Sequence, residues 1–518
     1  MKGAGLSGRA ARASRSNLIA FPAIGASAFF AGVVVARTLP VSDFAVYALA
    51  LALRGTVQFL ADFGTGAASA RAFAQLEAAD RRGSALQLYG RLAAVRAGAA
   101  VLLAGASFAA ADAALHYLGL APTDRAALFC LVVMGAAEIA GGLGTYVLTG
   151  MLRQRQLNAV LFAYNVAQPT LVVAAALAGL GLTGILAALA LASAGKTAAL
   201  HVGAVRALQS IGAHGENGEG VARSLTKTAG AASLGKLATW AHSRPALSFF
   251  MLPAAGRADF AVFALGYDLA HQIMASAAAP VGNVMPAVAA KTAHDPARLR
   301  RIASPVVVAL LTGSGGLALV ACMGIPHLDG LLYGIQYDEM GQYLAILMPA
   351  IVLDVAIATP ATAILLADDR LLGSFSTVRV LELGAAALYI VVGLDHLMAA
   401  TAMMATVRAA TAIALLLLVQ QQLGSLLPPR WVARFCFTVV VAAAVGSAAG
   451  TTPAPDALRA VAAMVLGAVT FVLMVRRFRL LGDAELRLVM QVLPAASRVV
   501  EWLRRGASED PRGAVSAG

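Results

Sequence analysis

Eleven ionisable side chains stand within apolar stretches of this sequence: the cations Arg54, Arg96, Lys196, Lys236, Arg244, Arg379 and Arg408, and the carboxylates Glu138, Asp268, Asp354 and Glu382. A charge at the centre of a bilayer costs about 2.5–3.5 kcal/mol on insertion scales, so it faces a watery cavity or a partner. The set as a whole is positive. Such an interior suits an anionic cargo like a lipid pyrophosphate, because guanidinium forks match phosphate oxygens and an ammonium acts as a point charge. A drug-cation antiporter would need the opposite sign.

Arg54 is the strongest candidate for cargo binding; the alternative is a structural role as partner of Asp62 or Glu138. Arg54, Gln58 and Asp62 recur at i, i+4 and i+8 and so share one stripe of a helix, about 12 Å from end to end. Lys236, Trp240, Ser243 and Arg244 keep helical spacing ahead of Pro245, a kink position. They read as a cavity-lining face, the alternative being cations that snorkel to an interface. With Arg408, the expected substrate-binding set is Arg54, Gln58, Lys236, Trp240, Arg244 and Arg408.

Glu138, Asp268 and Asp354 are candidates to bind a coupling proton or sodium ion, against simple pairing with the cations. Arg96 reads as snorkelling from a helix end, Lys196 stays open between the two roles, and Arg379 and Glu382 neutralise each other at i, i+3. Asn165 and Gln168 before Pro169 read as packing at a kink, and His271, beside Asp268 and Gln272, as hydrogen-bonded structure. Gly141, Gly142 and Gly144 lie inside an apolar run, where small residues let helices approach; they are not a phosphate loop.

The elements that must position these groups are membrane helices. With 60% hydrophobic and 13% charged residues and a mean hydropathy of +0.78, the chain departs from soluble domains, which carry about 25% charge. The net charge of +13 does not point to nucleic acid, because apolar runs separate the charges and no basic stripe interleaves with aromatics. Cys130, Cys322 and Cys436 lie in apolar runs without metal-ligand spacing, so neither disulfide nor metal is expected. No cofactor is expected either, and no enzyme signature stands out.

About 20 apolar residues per crossing gives fourteen spans, near 18–36, 44–63, 92–111, 126–149, 159–178, 182–203, 229–251, 260–281, 305–325, 341–366, 374–394, 397–420, 435–450 and 458–475. The run at 18–36 imitates a signal peptide but reads as an uncleaved first helix. Lys and Arg gather in alternate loops, leaving only Arg37, Arg125, Arg257 and Arg459 on the other side, which puts both termini in the cytoplasm.

The expected organisation is a basic tail (1–17), a six-helix bundle (18–209), a glycine-rich linker (210–224), a second six-helix bundle (225–423), two accessory helices (424–480) and an amphipathic tail (481–518) on the cytoplasmic leaflet. DFAVYAL at 43–49 returns as DFAVFAL at 259–265, which suggests two halves in parallel orientation. The fold class is therefore an all-α polytopic membrane protein of about fourteen helices.

ARTLPVSDFAVYALALAL (36–53), DFGTG (62–66), YVLTGMLRQRQLNAV (146–160) and LLYGIQYDEMGQYLAIL (331–347) are similar to segments of one family. Through them the chain resembles the polysaccharide flippases of the multidrug/oligosaccharidyl-lipid/polysaccharide exporter superfamily, the Wzx-like proteins that move undecaprenyl-linked saccharides. Departures are Val41 and Ser42 after Pro40, where the family often has Gly-Pro-Glu, and Asp338 and Glu339, where it has a more apolar approach.

The resemblance implies two bundles around a cavity that opens alternately to each side, in a monomer of the bacterial inner membrane. Its partners would be a lipid-linked anionic saccharide, membrane lipid and a coupling H+ or Na+. A multidrug cation antiporter of the same superfamily is the alternative, and a membrane glycosyltransferase or polymerase is a weaker one.

Overall fold

A computed structural model describes residues 25–62, 69–70, 72–73, 76–77, 80–118, 120, 124–151, 153–211, 233, 237–238, 240–241, 246–248, 256–282, 285, 289, 295–366, 371–393, 396–492 and 497–505. Among them every regular element is helical. In chain order these are α1 (Gly25–Thr38), α2 (Val41–Asp62), α3 (Arg82–Ala109), α4 (Ala111–Leu118), α5 (Arg125–Gly150), α6 (Gln154–Leu177), α7 (Gly181–Gln209), α8 (Arg257–Gly282) and α9 (Pro296–Gly324). Then follow α10 (Asp329–Tyr333), α11 (Met340–Leu353), α12 (Thr359–Leu365), α13 (Leu372–Gly393), α14 (Leu397–Leu423), α15 (Pro429–Gly450), α16 (Asp456–Arg477), α17 (Asp483–Val492) and α18 (Ser497–Arg505).

Eleven spans among the described residues are long and apolar enough to cross a membrane, and each falls on one of the expected crossings. Of the other three expected crossings, 18–36 overlaps α1, 260–281 coincides with α8, and 229–251 lies largely outside the described residues. The chain is an all-α polytopic membrane protein.

Two helices are longer than hydropathy alone indicates. α15 starts at Pro429, whose fixed φ and missing N–H suit a first helical position, and it runs 22 residues where an apolar count interrupted by Arg430 and Arg434 finds sixteen. α3 starts at Arg82 rather than near residue 92, which places Arg96 well inside the helix.

Pro169 inside α6 has no N–H for the Asn165 carbonyl, and the Ser27 hydroxyl donates to that oxygen instead at 3.3 Å. The expected crossing at 341–366 is interrupted by a π turn over Asp354–Ala358, between α11 and α12. In that register the Thr359 N–H reaches the Asp354 carbonyl five residues back, its hydroxyl donates to the same oxygen at 3.0 Å, and Pro360 follows.

The chain divides into two compact units, one of Ala26–Leu265 with Arg379–Ala400, the other of Met1–Gly25, Gly266–Val378 and Thr401–Gly518. In the first unit α5 and α7 pack at close range, because a Cβ on Gly144 would lie 2.7 Å from the Leu200 carbonyl oxygen and one on Gly141 2.6 Å from the Thr197 hydroxyl. Leu143, Val147, Leu148, Leu200, Ala204 and Leu208 from these helices form a buried core with Phe73 and Leu76. In the second unit α15 and α16 pack on α9 through Leu319, Met323, Ala442, Ala463, Phe471 and Val475.

The two copies of the repeated heptapeptide open α2 and α8 and are buried from Phe44 and from Phe260 onward. Their aromatic pairs adopt similar geometry, Phe44 and Tyr47 with ring centroids 5.8 Å apart at 49°, Phe260 and Phe263 6.3 Å apart at 45°.

The stretch between α9 and α11 folds into three short helical turns that bury Tyr333 and Tyr337, with rings 6.4 Å apart at 68°. Gly334 joins two of them at φ +108°, a conformation that L side chains rarely adopt. Asp329 is buried here and accepts from the Gly330 N–H at 2.9 Å; its burial, with Asp338 nearby, pushes its carboxyl above the usual carboxylate range.

Candidate functional site

Arg54 lies on α2, half-buried, and its Nη1 donates to the Tyr164 hydroxyl at 2.8 Å and to Gln168 Oε1 at 2.9 Å. Both acceptors come from the same face of α6, four residues apart. The two bonds orient the guanidinium toward α6.

Tyr164 also faces a second cation, because Lys196 Nζ from α7 sits 4.5 Å from its ring centroid while the Arg54 guanidinium carbon lies 5.9 Å from it. A ring between two cations presents its negative face to positive charge, an attraction that desolvation strengthens to about 2 kcal/mol or more. Lys196 in turn bonds both oxygens of Glu138 on α5, at 2.7 and 2.6 Å, and Ser193 donates a third bond at 3.0 Å.

Four helices thus converge on one polar cluster: Arg54, Tyr164, Gln168, Glu138, Ser193 and Lys196. Glu138 is buried and chelated. Arg54 stands at the cluster's other end.

Trp240 packs against α2 beyond this point, donating from Nε1 to Thr56 Oγ1 at 3.2 Å and stacking on Phe59 at 5.5 Å and 10°. Gln58 is exposed. Lys236 and Arg244 lie outside the described residues.

A second cluster lies in the other unit. Arg408 on α14, buried, donates from Nε to Asp354 Oδ2 at 2.5 Å, holds the same oxygen through a second guanidinium nitrogen, and donates from Nη1 to the Tyr267 hydroxyl at 3.2 Å. His271 Nε2 pairs with that hydroxyl at 2.8 Å. Asp354 opens the π turn, a helical irregularity found disproportionately at functional sites. Asp268, half-buried on α8, lies one residue from Tyr267.

The expected interior groups sort by partner. Glu138 and Asp354 are each bound by a cation, the pairing that competes with an ion-coupling role, and Arg379 bonds Glu382 at 2.7 Å with both side chains buried.

Two expectations are corrected. Arg96 does not snorkel: it is buried, donates to the Ile139 carbonyl at 2.9 Å and lies 5.5 Å from the Tyr146 ring centroid, in space that Gly142 leaves open. Gln168 does more than pack at a kink, since it holds Arg54. Tyr164 is a site residue that sequence reasoning missed; its only signal is a hydroxyl-bearing aromatic one turn before Gln168.

No protein-family model matches this sequence, and no curated protein matches it either. Solved structures do. The lipid II flippase MurJ in an inward closed conformation aligns over 89% of this chain and 98% of its own, at 10% identity and a TM-score of 0.65. An inward-facing multidrug resistance MATE family transporter of the MOP superfamily aligns over 79% and 98%, at 14% identity and a TM-score of 0.56. A variant of the Vibrio cholerae MATE transporter VcmN aligns over 79% and 98%, at 16% identity and a TM-score of 0.51.

This chain has the fold of those transporters. At these identities the likeness is one of fold.

Proposed function

We propose that the protein is a transporter that flips a lipid-linked oligosaccharide, carried on undecaprenyl pyrophosphate, across the bacterial cytoplasmic membrane by alternating access, for surface polysaccharide biosynthesis. One observation carries the reading: Arg54, inside an apolar helix, and Lys196 both lie against the Tyr164 ring, within one polar cluster of four helices. Two cations gathered in an apolar interior suit a pyrophosphate, which offers forked oxygen acceptors. The fold likeness to a lipid II flippase over most of both chains supports the same class of cargo.

In this reading Lys236, Arg244 and Arg408 add positive charge along the path, Gln58 and Trp240 contact the saccharide, and Glu138, Asp268 or Asp354 binds the coupling H+ or Na+. Two six-helix bundles rock about the cargo while the polyprenyl tail stays in lipid, and both termini face the cytoplasm. The protein acts as a monomer, without chemistry on its cargo.

Charge reversal at Arg54 and Lys236 together tests the assignment. Surface polysaccharide export is expected to vanish while the protein level in the membrane persists; full export by that variant refutes the assigned roles. A second reading, a multidrug cation antiporter, draws on the MATE likeness and on the interior carboxylates Glu138, buried, and Asp354, half-buried. It predicts resistance to cationic dyes on expression, lost in Glu138→Gln, and no effect on export.

A further inference from the structure

We propose that the end of the α15–α16 hairpin bearing α17 and α18 is a docking surface for the headgroups of anionic phospholipids. The hairpin brings the start of α15 beside the end of α16: Trp431 Nε1 donates to the Leu480 carbonyl at 2.8 Å, and Arg434 Nη1 to the Phe478 carbonyl at 3.4 Å. Arginines from both helices therefore meet at this end, and α17 and α18 add more.

The exposed set includes Arg430, Arg434, Arg477, Arg479, Arg487 and Arg498. Among the described residues three carboxylates, Asp483, Glu485 and Glu501, share the region, and Asp483 is engaged by Arg504 Nε at 3.2 Å. The hairpin's opposite end contains Asp456 and Arg459, paired with each other. Positive excess is thus confined to one end.

The amphipathic helices have already used their apolar sides. Leu486 and Val500 are buried, and Leu503 packs against the core formed by α9, α15 and α16. What α18 leaves outward is Ser497, Arg498, Arg504, the single carboxylate Glu501 and two apolar side chains, Val499 at 54% and Trp502 at 36% exposure, with the Arg476 guanidinium carbon 4.3 Å from the Trp502 ring centroid.

Depth decides the occupant. α15 and α16 are 22 residues each, about 33 Å, the thickness of a hydrocarbon core, so the arginines at their shared end lie at headgroup level. Arginine beside exposed tryptophan and valine is the composition of that layer. Anionic headgroups supply the complementary charge, and each basic residue near such a leaflet strengthens association about fivefold.

The test uses the full chain in lipid vesicles. Tryptophan fluorescence is quenched by brominated phosphatidylglycerol in a phosphatidylcholine background, or by brominated phosphatidylcholine in a phosphatidylglycerol background, and the part that disappears in Trp502→Phe is taken. Quenching by the anionic lipid at least twofold stronger is expected, falling toward parity in 0.5 M salt and in the triple variant Arg487→Gln, Arg498→Gln, Arg504→Gln. Equal quenching by both lipids in the unmodified chain, which needs no variant of the arginines to fold, overturns the proposal. So does a folded triple variant that keeps the twofold preference.

Discussion

Replacing Lys196 by Met should damage the protein more than replacing Lys196 and Glu138 together. In the native cluster the Glu138 carboxylate, 2% exposed, receives two bonds from Lys196, at 2.6 and 2.7 Å, and one from Ser193 at 3.0 Å. Removing the ammonium leaves that buried charge with the serine hydroxyl in place of a cation. Breaking a buried pair from one side costs about 3–5 kcal/mol, whereas exchanging both partners for neutral groups of similar size is often close to neutral.

Lys196→Met should therefore lower Tm in detergent by roughly 5 °C or more, and Lys196→Met with Glu138→Gln should recover most of the loss. Thermal unfolding of the two single variants and the double variant closes a cycle that isolates the coupling. A double variant that is destabilised by the sum of the two single effects would refute the reasoning, because the two groups would then act independently.

Two further outcomes follow from local geometry. Gly144→Ala should destabilise by about 1–3 kcal/mol, since its Cβ meets the Leu200 backbone, whereas Gly195→Ala on α7, with nothing within 4 Å, should be neutral or stabilising by up to about 1 kcal/mol; equal effects on Tm would contradict the packing described. Asp329 has its carboxyl raised by burial, so its contribution to stability is full below the unfolded carboxylate range and is lost as pH rises through its folded value. Tm in detergent should thus have a component that falls on going from acid toward neutral pH, and Asp329→Asn should remove it and be more stable than the parent at pH 7.

Much of the fold is legible in the sequence because a bilayer imposes a length and a polarity on every crossing, and the two boundaries that moved did so where arginines interrupt an apolar count. The interior charges are legible for the same reason. Their partners are not, since pairing depends on how each helix is rotated about its axis, and nothing in the local sequence of α5 or α7 states that Glu138 and Lys196 face each other. Tyr164 and Gln168 stand 110 and 114 residues from Arg54, and neither is unusual in an apolar helix. Arg96 shows the converse: its role follows from where α3 begins, and charged residues before the apolar run hid that start.

The π turn at Asp354 has a geometric corollary. It accommodates one residue more than an α-helical path between the same ends, and an α-helix advances about 100° and 1.5 Å per residue. Shifting that surplus residue along the helix would swivel the residues it passes by about a quarter turn, while the helix beyond keeps its register. The carboxylate clasped by Arg408 sits at the pivot, so the grip on one oxygen atom and the screw angle of the adjoining residues are set at the same point in the chain.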